Sequence, residues 1–257
     1  MNDRPQTNLQ LLNALRGAGY TDAEVEQIKK AYDFVARQFA VWFRASGKPF
    51  IAHLVGTAGI LCALRARAPV IAAGLGHALY AQGELPGGVS GATGSMRARV
   101  RRALGAETED LIARYAALEW NTAALPGLRA RLPDMSPTER QVVLIRLANE
   151  LDDHLDLEAL YCGNAEARLR RIGKGLRIAA DMARDLNAGT LAASLDCALD
   201  ATLATELPSG LRTDRAASFS LVPASAIRRR SNKVWRFAGR AVNKGLGILG
   251  RIPRIPG

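Results

Sequence analysis

Residues 136–162 read SPTERQVVLIRLANELDDHLDLEALYC, and they open with one of the two clearest helix starts in the chain. Ser136 and Glu139 have the spacing of a capping box, in which a hydroxyl and a carboxylate three residues apart satisfy each other's free backbone N–H groups. Pro137 takes the first helical position, where a missing N–H costs nothing. The stretch therefore predicts a helix over residues 137–162.

The same signal occurs upstream, where Thr21 and Glu24 form a second capping box. Ala, Leu, Arg and Glu dominate the chain, and runs of alternating Val, Ile and aromatic residues are absent. These observations predict an all-α fold built as a helical bundle. The expected helices span residues 7–17, 22–43, 50–66, 70–82, 96–104, 107–119, 137–162, 165–187 and 190–206.

Two stretches interrupt this helical pattern. Residues 83–94 combine Pro86 with five glycines, which predicts a mobile loop. Residues 208–225 combine two prolines with several serines, which predicts a linker. A chain of 257 residues that is 48% hydrophobic has room for one substantial core. The expected organisation is a main domain over 1–206, a linker over 207–225 and a tail over 226–257.

The sequence predicts a cytoplasmic protein. Residues 1–10 are polar and lack the features of a secretory signal, and no apolar run reaches the ~20 residues that cross a bilayer. The cysteines, Cys62, Cys162 and Cys197, are odd in number and far apart, which argues against disulfides and a thiolate zinc site. We expect all three to be small buried residues.

The formal charge of +11 belongs to the C-terminal end of the chain. Ten of the 35 basic residues lie in residues 215–257, which contain no acidic residue. The 25 basic residues that remain are balanced by 24 acidic residues. The folded part is therefore nearly neutral, and the basic charge characterises a tail rather than a nucleic-acid-binding domain.

Three segments occur in an order that resembles the HD-superfamily hydrolase domain of RelA/SpoT-type guanosine polyphosphate enzymes. Residues 44–53, RASGKPFIAH, are similar to the family's R-x-S-G-x-P-[YF]-I-x-H. Residues 72–78, AAGLGHA, are similar to A-A-x-L-L-H-D, and residues 143–151, VLIRLANEL, to V-x-x-I-K-L-A-D-R-L. The resemblance covers residues 25–165 and implies an HD-type helical bundle.

The resemblance also implies a metal site from which the acidic groups are missing. Hydrolases of this class hold a divalent cation, usually manganese, with imidazole and carboxylate. His53 and His77 match two ligand positions, but Ala78 and Asn149 stand where the family has aspartates. In the family an acidic pair activates the attacking water, and here Ala81 and Gln82 occupy its two positions. Without these carboxylates, two histidines bind manganese weakly, and a general base typically worth ~10²–10⁴ in rate is lost.

Nearby residues leave alternatives open. Asp152 and Asp153 lie three and four residues after Asn149, so either carboxylate could complete a metal site, although each starts about one turn (~5.4 Å) away. His53 and His77 could instead be hydrogen-bonded core residues.

Three charged or ionisable residues near these positions are also ambiguous from the sequence. Arg44 and Lys48 could face a nucleotide, as the resemblance implies, or be solvated charges. His154 stands among acidic residues, and we expect it on a solvated helix face.

The sequence of the tail predicts a basic amphipathic helix over residues 233–251. Trp235 and Phe237 belong to an apolar half, and a basic group occupies the other side, namely Lys233, Arg236, Arg240 and Lys244, with Arg251. This pattern is typical of a helix lying on an anionic membrane. Docking on a partner protein, nucleic-acid binding and a disordered end remain alternatives, with nucleic acid less favoured because it does not require an apolar half.

Together these observations predict a catalytically degenerate HD-domain protein. It would act as a nucleotide-binding or scaffolding module attached to a membrane surface or protein partner, and it would need no cofactor. The alternative is an active manganese-dependent phosphohydrolase acting on a guanosine polyphosphate or a related nucleotide.

Overall fold

The computed structural model describes residues 4–80 and 91–222, with backbone alone at 171–174, and in these ranges the all-α prediction is confirmed. The predicted tail helix and most of the predicted loop over 83–94 lie outside the described residues. The helices are α1 (Asn8–Gly17), α2 (Asp22–Phe39), α3 (Phe50–Ala63), α4 (Ala68–Gly76), α5 (Gly94–Leu104), α6 (Ala106–Ala117), α7 (Leu125–Ala130), α8 (Pro137–Leu155), α9 (Glu158–Tyr161), α10 (Ala165–Asp185) and α11 (Gly189–Ala204). Two short strands, β1 (Trp42–Phe43) and β2 (Phe219–Ser220), pair in antiparallel fashion.

Both predicted capping boxes form. Thr21 and Glu24 exchange side-chain and backbone hydrogen bonds at the start of α2, and Ser136 and Glu139 do the same at the start of α8. A third box, which was not predicted, forms at Thr7 and Gln10 and starts α1. Each box satisfies backbone N–H groups that a helix start otherwise leaves free, so these three boundaries are set locally.

The core is organised around α3 and α4, which are apolar on nearly every face. These helices pack on each other and on α2, α6 and α8. Glycines allow the close approach: a Cβ on Gly74 would lie 2.4 Å from Leu61 Cδ1, and one on Gly76 would lie 2.6 Å from Ile112 Cδ1. This tight packing fixes the end of α4, which His77 directly follows, against α3 and α6.

Three predicted helix boundaries were wrong. The helix predicted over 22–43 ends at Phe39, and β1 follows it. The helix predicted over 137–162 breaks after Leu155, because Leu157 adopts φ +55°, a left-handed conformation that a helix cannot continue through. The helix predicted over 70–82 ends at Gly76 and gives way to a turn. The short helix α7 was not predicted.

The described part of the predicted linker, residues 207–222, folds back on the domain, and we call it the strap. Its strand β2 pairs with β1, and the rings of Phe219 and Phe43 stack with centroids 5.5 Å apart. The Thr213 hydroxyl donates to the backbone oxygen of Ala45 at 2.9 Å. Gly163 permits this course, because a Cβ there would lie 2.8 Å from the backbone of Asp214. The strap thus packs on the domain that precedes it.

The structure bears on the expected burial of the cysteines and on the absence of a membrane-spanning helix. Cys62 and Cys162 are buried as predicted, but Cys197 is exposed on α11. Among the described helices, none combines the length and apolarity that spanning a membrane requires.

A buried carboxylate ties α5 and α6 to the end of α4. The side chain of Glu109 is fully buried. It accepts hydrogen bonds from the Tyr80 hydroxyl at 2.8 Å, Arg97 at 2.6 Å and Arg101 at 2.9 Å. Burial alone would raise the pKa of Glu109, but the bonds from Arg97 and Tyr80 lower it below its usual value. Glu109 is therefore an anion whose three partners hold two helices together.

Replacing Glu109 with alanine should lower the free energy of unfolding by about 2 kcal/mol, because the buried Tyr80 hydroxyl loses its acceptor while both arginines keep contact with solvent. Urea unfolding at neutral pH measures the change. The matched control is Glu107→Ala, which removes an exposed pair with Arg67 and should cost less than ~1 kcal/mol. Equal effects of the two substitutions would contradict the role assigned to Glu109.

Candidate functional site

The site begins with two buried histidines that face each other. His53 lies in the first turn of α3, and His77 directly follows α4. Their Nε2 atoms are 3.2 Å apart, and the side chains are 1% and 4% exposed. The His77 ring also lies beside Tyr115, with centroids 5.1 Å apart. The two motif histidines therefore meet inside the core.

The hydrogen bonds of the two rings decide where the protons are. His53 Nδ1 donates to Asp152 Oδ2 at 2.7 Å, and His77 Nδ1 donates to the backbone oxygen of Gly74 at 2.7 Å. Both Nδ1 atoms are thus engaged, and the two Nε2 atoms face each other at 3.2 Å. Burial, and then the charge on His53, lowers the pKa of His77 to about 3. His77 is therefore neutral in the folded state near pH 7.

Asp152 binds the His53 ring from the side of Nδ1. Its Oδ2 also accepts from Lys48 Nζ at 3.1 Å, and Lys48 makes a second ion pair with Asp156 at 2.8 Å. Asp152 is 2% exposed, and it fits only because position 56 is glycine: a Cβ there would lie 1.9 Å from Asp152 Oδ1. Gly56 and Lys48 thus hold the carboxylate against His53.

Arg44 binds the two other carboxylates near the site, those of Asp153 and Glu158. It donates to Asp153 Oδ1 at 2.5 Å and to Glu158 Oε1 at 2.7 Å. Burial alone would lower the pKa of Arg44, but the charges of Asp153 and Glu158 raise it above its usual value. Burial alone would raise the pKa of Asp153, but the charges of Arg44 and His53 hold it far below its usual value. The break between α8 and α9 brings Glu158 to this position.

Neither Arg44 nor Lys48 is a solvated charge, so that alternative is wrong for both. Their side chains are 16% and 11% exposed, and each cation contacts two carboxylates. The loop that carries them is a tight turn in which Arg44 N–H donates to the Lys48 carbonyl at 2.8 Å and Gly47 has φ +94°. A phosphate could reach these cations only by replacing carboxylates that already bind them.

The donor set falls short of a metal site. Ala78 is buried and offers no ligand atom, and the Asn149 amide nitrogen donates to Asp153 Oδ2 at 3.4 Å. Asp152 and Asp153 approach His53 at Nδ1, at 2.7 and 3.6 Å, rather than at the Nε2 atom that faces His77. Across residues 4–80 and 91–222, no three His, Cys, Asp or Glu side chains are arranged to hold a metal ion. Only the two Nε2 atoms fit ligand positions, so we derive no chemical step through a metal.

Sequence reasoning missed a cluster that adjoins the histidines. Arg146 donates to the Tyr115 hydroxyl at 2.7 Å and to Glu150 at 2.6 Å, and it lies over the rings of Tyr115 and Trp120 at 5.6 and 5.2 Å. Burial raises the pKa of Tyr115 to about 12, so its hydroxyl stays protonated. The signal was present, because Arg146 lies in the third motif segment, but its aromatic partners come from residues that no motif marks.

The expectation that His154 is solvated was wrong. It is 6% exposed, and its Nδ1 has no hydrogen-bond partner among the described residues. Helix α8 contacts α3, α4, α6, α10 and α11, so few of its faces reach solvent.

Several candidate residues cannot be placed. Ala81 and Gln82 lie outside the described residues. So do the tail residues predicted to bind a membrane or partner, Lys233, Trp235, Arg236, Phe237, Arg240 and Lys244.

One comparison with known proteins bears on this region. Residues 34–119 match a sequence family described as Domain of unknown function (DUF6817). The match covers about a third of the chain and includes Arg44, Lys48 and both histidines, but it ends before α8, which supplies Asn149 and Asp152. No curated protein matches the chain.

The burial of His77 predicts a loss of stability in acid. A neutral histidine in the folded state, with a pKa near 3 against ~6.5 when unfolded, leaves stability intact above pH ~6.5 and removes it progressively as the pH falls towards 3. At pH 5 this histidine should account for a loss of about 2 kcal/mol.

Urea unfolding between pH 5 and 7.5 measures that loss, with His77→Asn as the control. The asparagine can donate to Gly74 but does not titrate, so the pH dependence should become flatter whatever the variant's absolute stability. An unchanged slope would contradict the assignment of a neutral His77.

Proposed function

We propose that this chain is a catalytically degenerate HD-type helical domain that works by binding a partner rather than by hydrolysis. The observation that carries the proposal is the internal pairing of the charged groups at the motif positions. Asp152, Asp153 and Glu158 bind Arg44, Lys48 and His53 instead of facing a free cavity. The resemblance to RelA/SpoT-type enzymes supports the HD-type fold in this proposal, and the missing carboxylates support the absence of hydrolysis.

The electrostatics favour a structural use of this network. Removing one member of a buried ion pair leaves a charge without a partner, which costs ~3–5 kcal/mol. A ligand phosphate would have to displace such a carboxylate to reach Arg44 or Lys48. A scaffolding role is therefore better supported than nucleotide binding at the motif loop.

The test is hydrolysis of guanosine tetraphosphate by the full chain in the presence of Mn²⁺, run with a thermal-unfolding series in Mn²⁺ and Zn²⁺. We expect no turnover and no metal-dependent rise in Tm. Turnover that is abolished in both His53→Ala and His77→Ala would overturn the proposal. A Tm rise that disappears in these variants would overturn the absence of a metal site, even without turnover.

One observation favours the second candidate, an active metal-dependent phosphohydrolase. Two ring nitrogens 3.2 Å apart have the separation of neighbouring ligands on one ion, since metal–nitrogen bonds of ~2.0–2.1 Å meeting at about 100° give that distance. Both Nδ1 atoms are held by acceptors, which is how protein partners orient metal-binding histidines. The hydrolysis and Tm measurements decide between the two candidates.

We also propose that the basic tail, residues 226–257, attaches the domain to an anionic membrane. Its composition supports this, with nine basic residues, no acidic residue and a tryptophan. Sedimentation with vesicles of phosphatidylcholine and phosphatidylserine should pellet the full chain but not a chain ending at residue 225. Equal pelleting of the two would contradict a membrane role for the tail.

A further inference from the structure

A groove beside the C-terminal half of α3, away from the first turn that carries His53, has no role in the proposed function. It has a volume of about 430 Å³ and lies between α1, α3 and α11, with one residue from α8. Ligand pockets in proteins typically measure ~300–1,000 Å³, so the groove is large enough for a small molecule. Neither histidine of the candidate site lines it.

Most of the groove wall is apolar. Ile60, Leu64, Leu151 and Leu191 provide the larger side chains, and small residues of α1 leave the space between them open. Ile60, Leu151 and Leu191 are each at most 5% exposed, so they are held rigidly in the core while one face of each borders the groove. Such a wall suits an unbranched apolar chain.

A few polar groups complete the lining, and two of them are cationic. Arg4 and Arg65 line the groove, and within the described residues neither has a carboxylate close enough to form an ion pair. Arg4 Nη1 is buried and has no hydrogen-bond partner in the described part of the chain. Asp152 and Asp156 act on Arg4 only through space, and burial lowers its pKa in spite of them. Thr190 and Ser194 line the same groove.

A guanidinium that lines an apolar groove without a carboxylate partner can bind an anionic head group through a charge-assisted hydrogen bond. We propose that this groove binds a single-chain amphiphilic anion, with the apolar chain against Ile60, Leu64 and Leu191 and the anionic head at Arg4. The chain's own basic tail is a poor occupant, because its charge has the same sign as Arg4 and Arg65.

Calorimetric titration of the full chain with decanoate below its micelle concentration tests the proposal. We expect saturable binding with one site per chain, and binding at least about tenfold weaker for decanol, which has the same chain length without the charge. Arg4→Gln should weaken decanoate binding by about tenfold or more while leaving the apolar wall intact. Ser194→Phe should block binding by filling the groove.

The matched control is Arg16→Gln, which removes an exposed cation of α1 that does not line the groove and should leave binding unchanged. Thermal unfolding checks that each variant is folded. If Ser194→Phe does not fold, Arg4→Gln alone tests whether the groove binds decanoate. Absence of saturable binding, equal affinity for decanol, or unchanged affinity in Arg4→Gln would each overturn the proposal. The outcome is independent of the hydrolysis assay, because the two histidines are elsewhere.

Discussion

Replacing Asp152 with alanine should lower the free energy of unfolding by about 3–5 kcal/mol, the largest effect we expect from a single substitution in this chain. The carboxylate accepts from both His53 and Lys48, and it is 2% exposed. Without it, the buried His53 loses the acceptor for Nδ1, and Lys48 keeps only its exposed partner, Asp156. Urea unfolding at pH 7 measures the loss.

Two substitutions control for size and charge. Asp152→Asn keeps an oxygen acceptor and should cost less than Asp152→Ala. Asp156→Ala removes the other partner of Lys48, whose carboxylate side chain is 55% exposed, and should cost about 1 kcal/mol or less. If Asp152→Ala and Asp156→Ala had similar effects, the network would not be the stabilising element we describe.

Gly56→Ala should lower the free energy of unfolding by about 3 kcal/mol, although it adds only one methyl group. The new Cβ would lie 1.9 Å from Asp152 Oδ1 and 2.8 Å from Asp152 Cγ. The carboxylate must then move, and its bonds to His53 and Lys48 are lost with it. The effect runs against helix propensity, since alanine is normally favoured over glycine inside a helix by ~0.5–1 kcal/mol.

The matched control is Gly127→Ala in α7, where a Cβ would meet nothing within 4 Å. That substitution should be neutral or slightly stabilising. A second comparison isolates the cause: in the Asp152→Ala background, Gly56→Ala should cost little, because the clashing group is gone. A full cost in that background would show that Gly56 contacts something other than Asp152.

Much of the fold follows from local signals in the sequence. The capping boxes at Thr21 and Ser136 start their helices where the side chains dictate, because they act within one turn. The prediction failed where distant residues decide. Trp42 and Phe43 extend as a strand because they pair with Ser220 and Phe219 of the strap, far along the chain, and no local signal at α2 predicts that partner.

The candidate site was predictable in its parts but not in its arrangement. The motifs marked His53, His77, Arg44 and Lys48, and the structure brings all four to one region of the bundle. They did not indicate that Asp152 would bind Nδ1 of His53, because that contact depends on the space at Gly56 and on how α3 and α8 pack. The break at Leu157, which turns Glu158 towards Arg44, is likewise a tertiary effect.

The strap sets the length of fragment that can be produced on its own. A chain cut at residue 206, just past the last long helix, would expose the ring of Phe43 and leave the N–H of Gly163 without the Arg215 carbonyl it binds at 2.9 Å. It would also free the turn that presents Arg44, since Thr213 no longer holds Ala45. We therefore expect a stably folded fragment to end at residue 222 or later, and a shorter one to aggregate or be digested at the β1 edge.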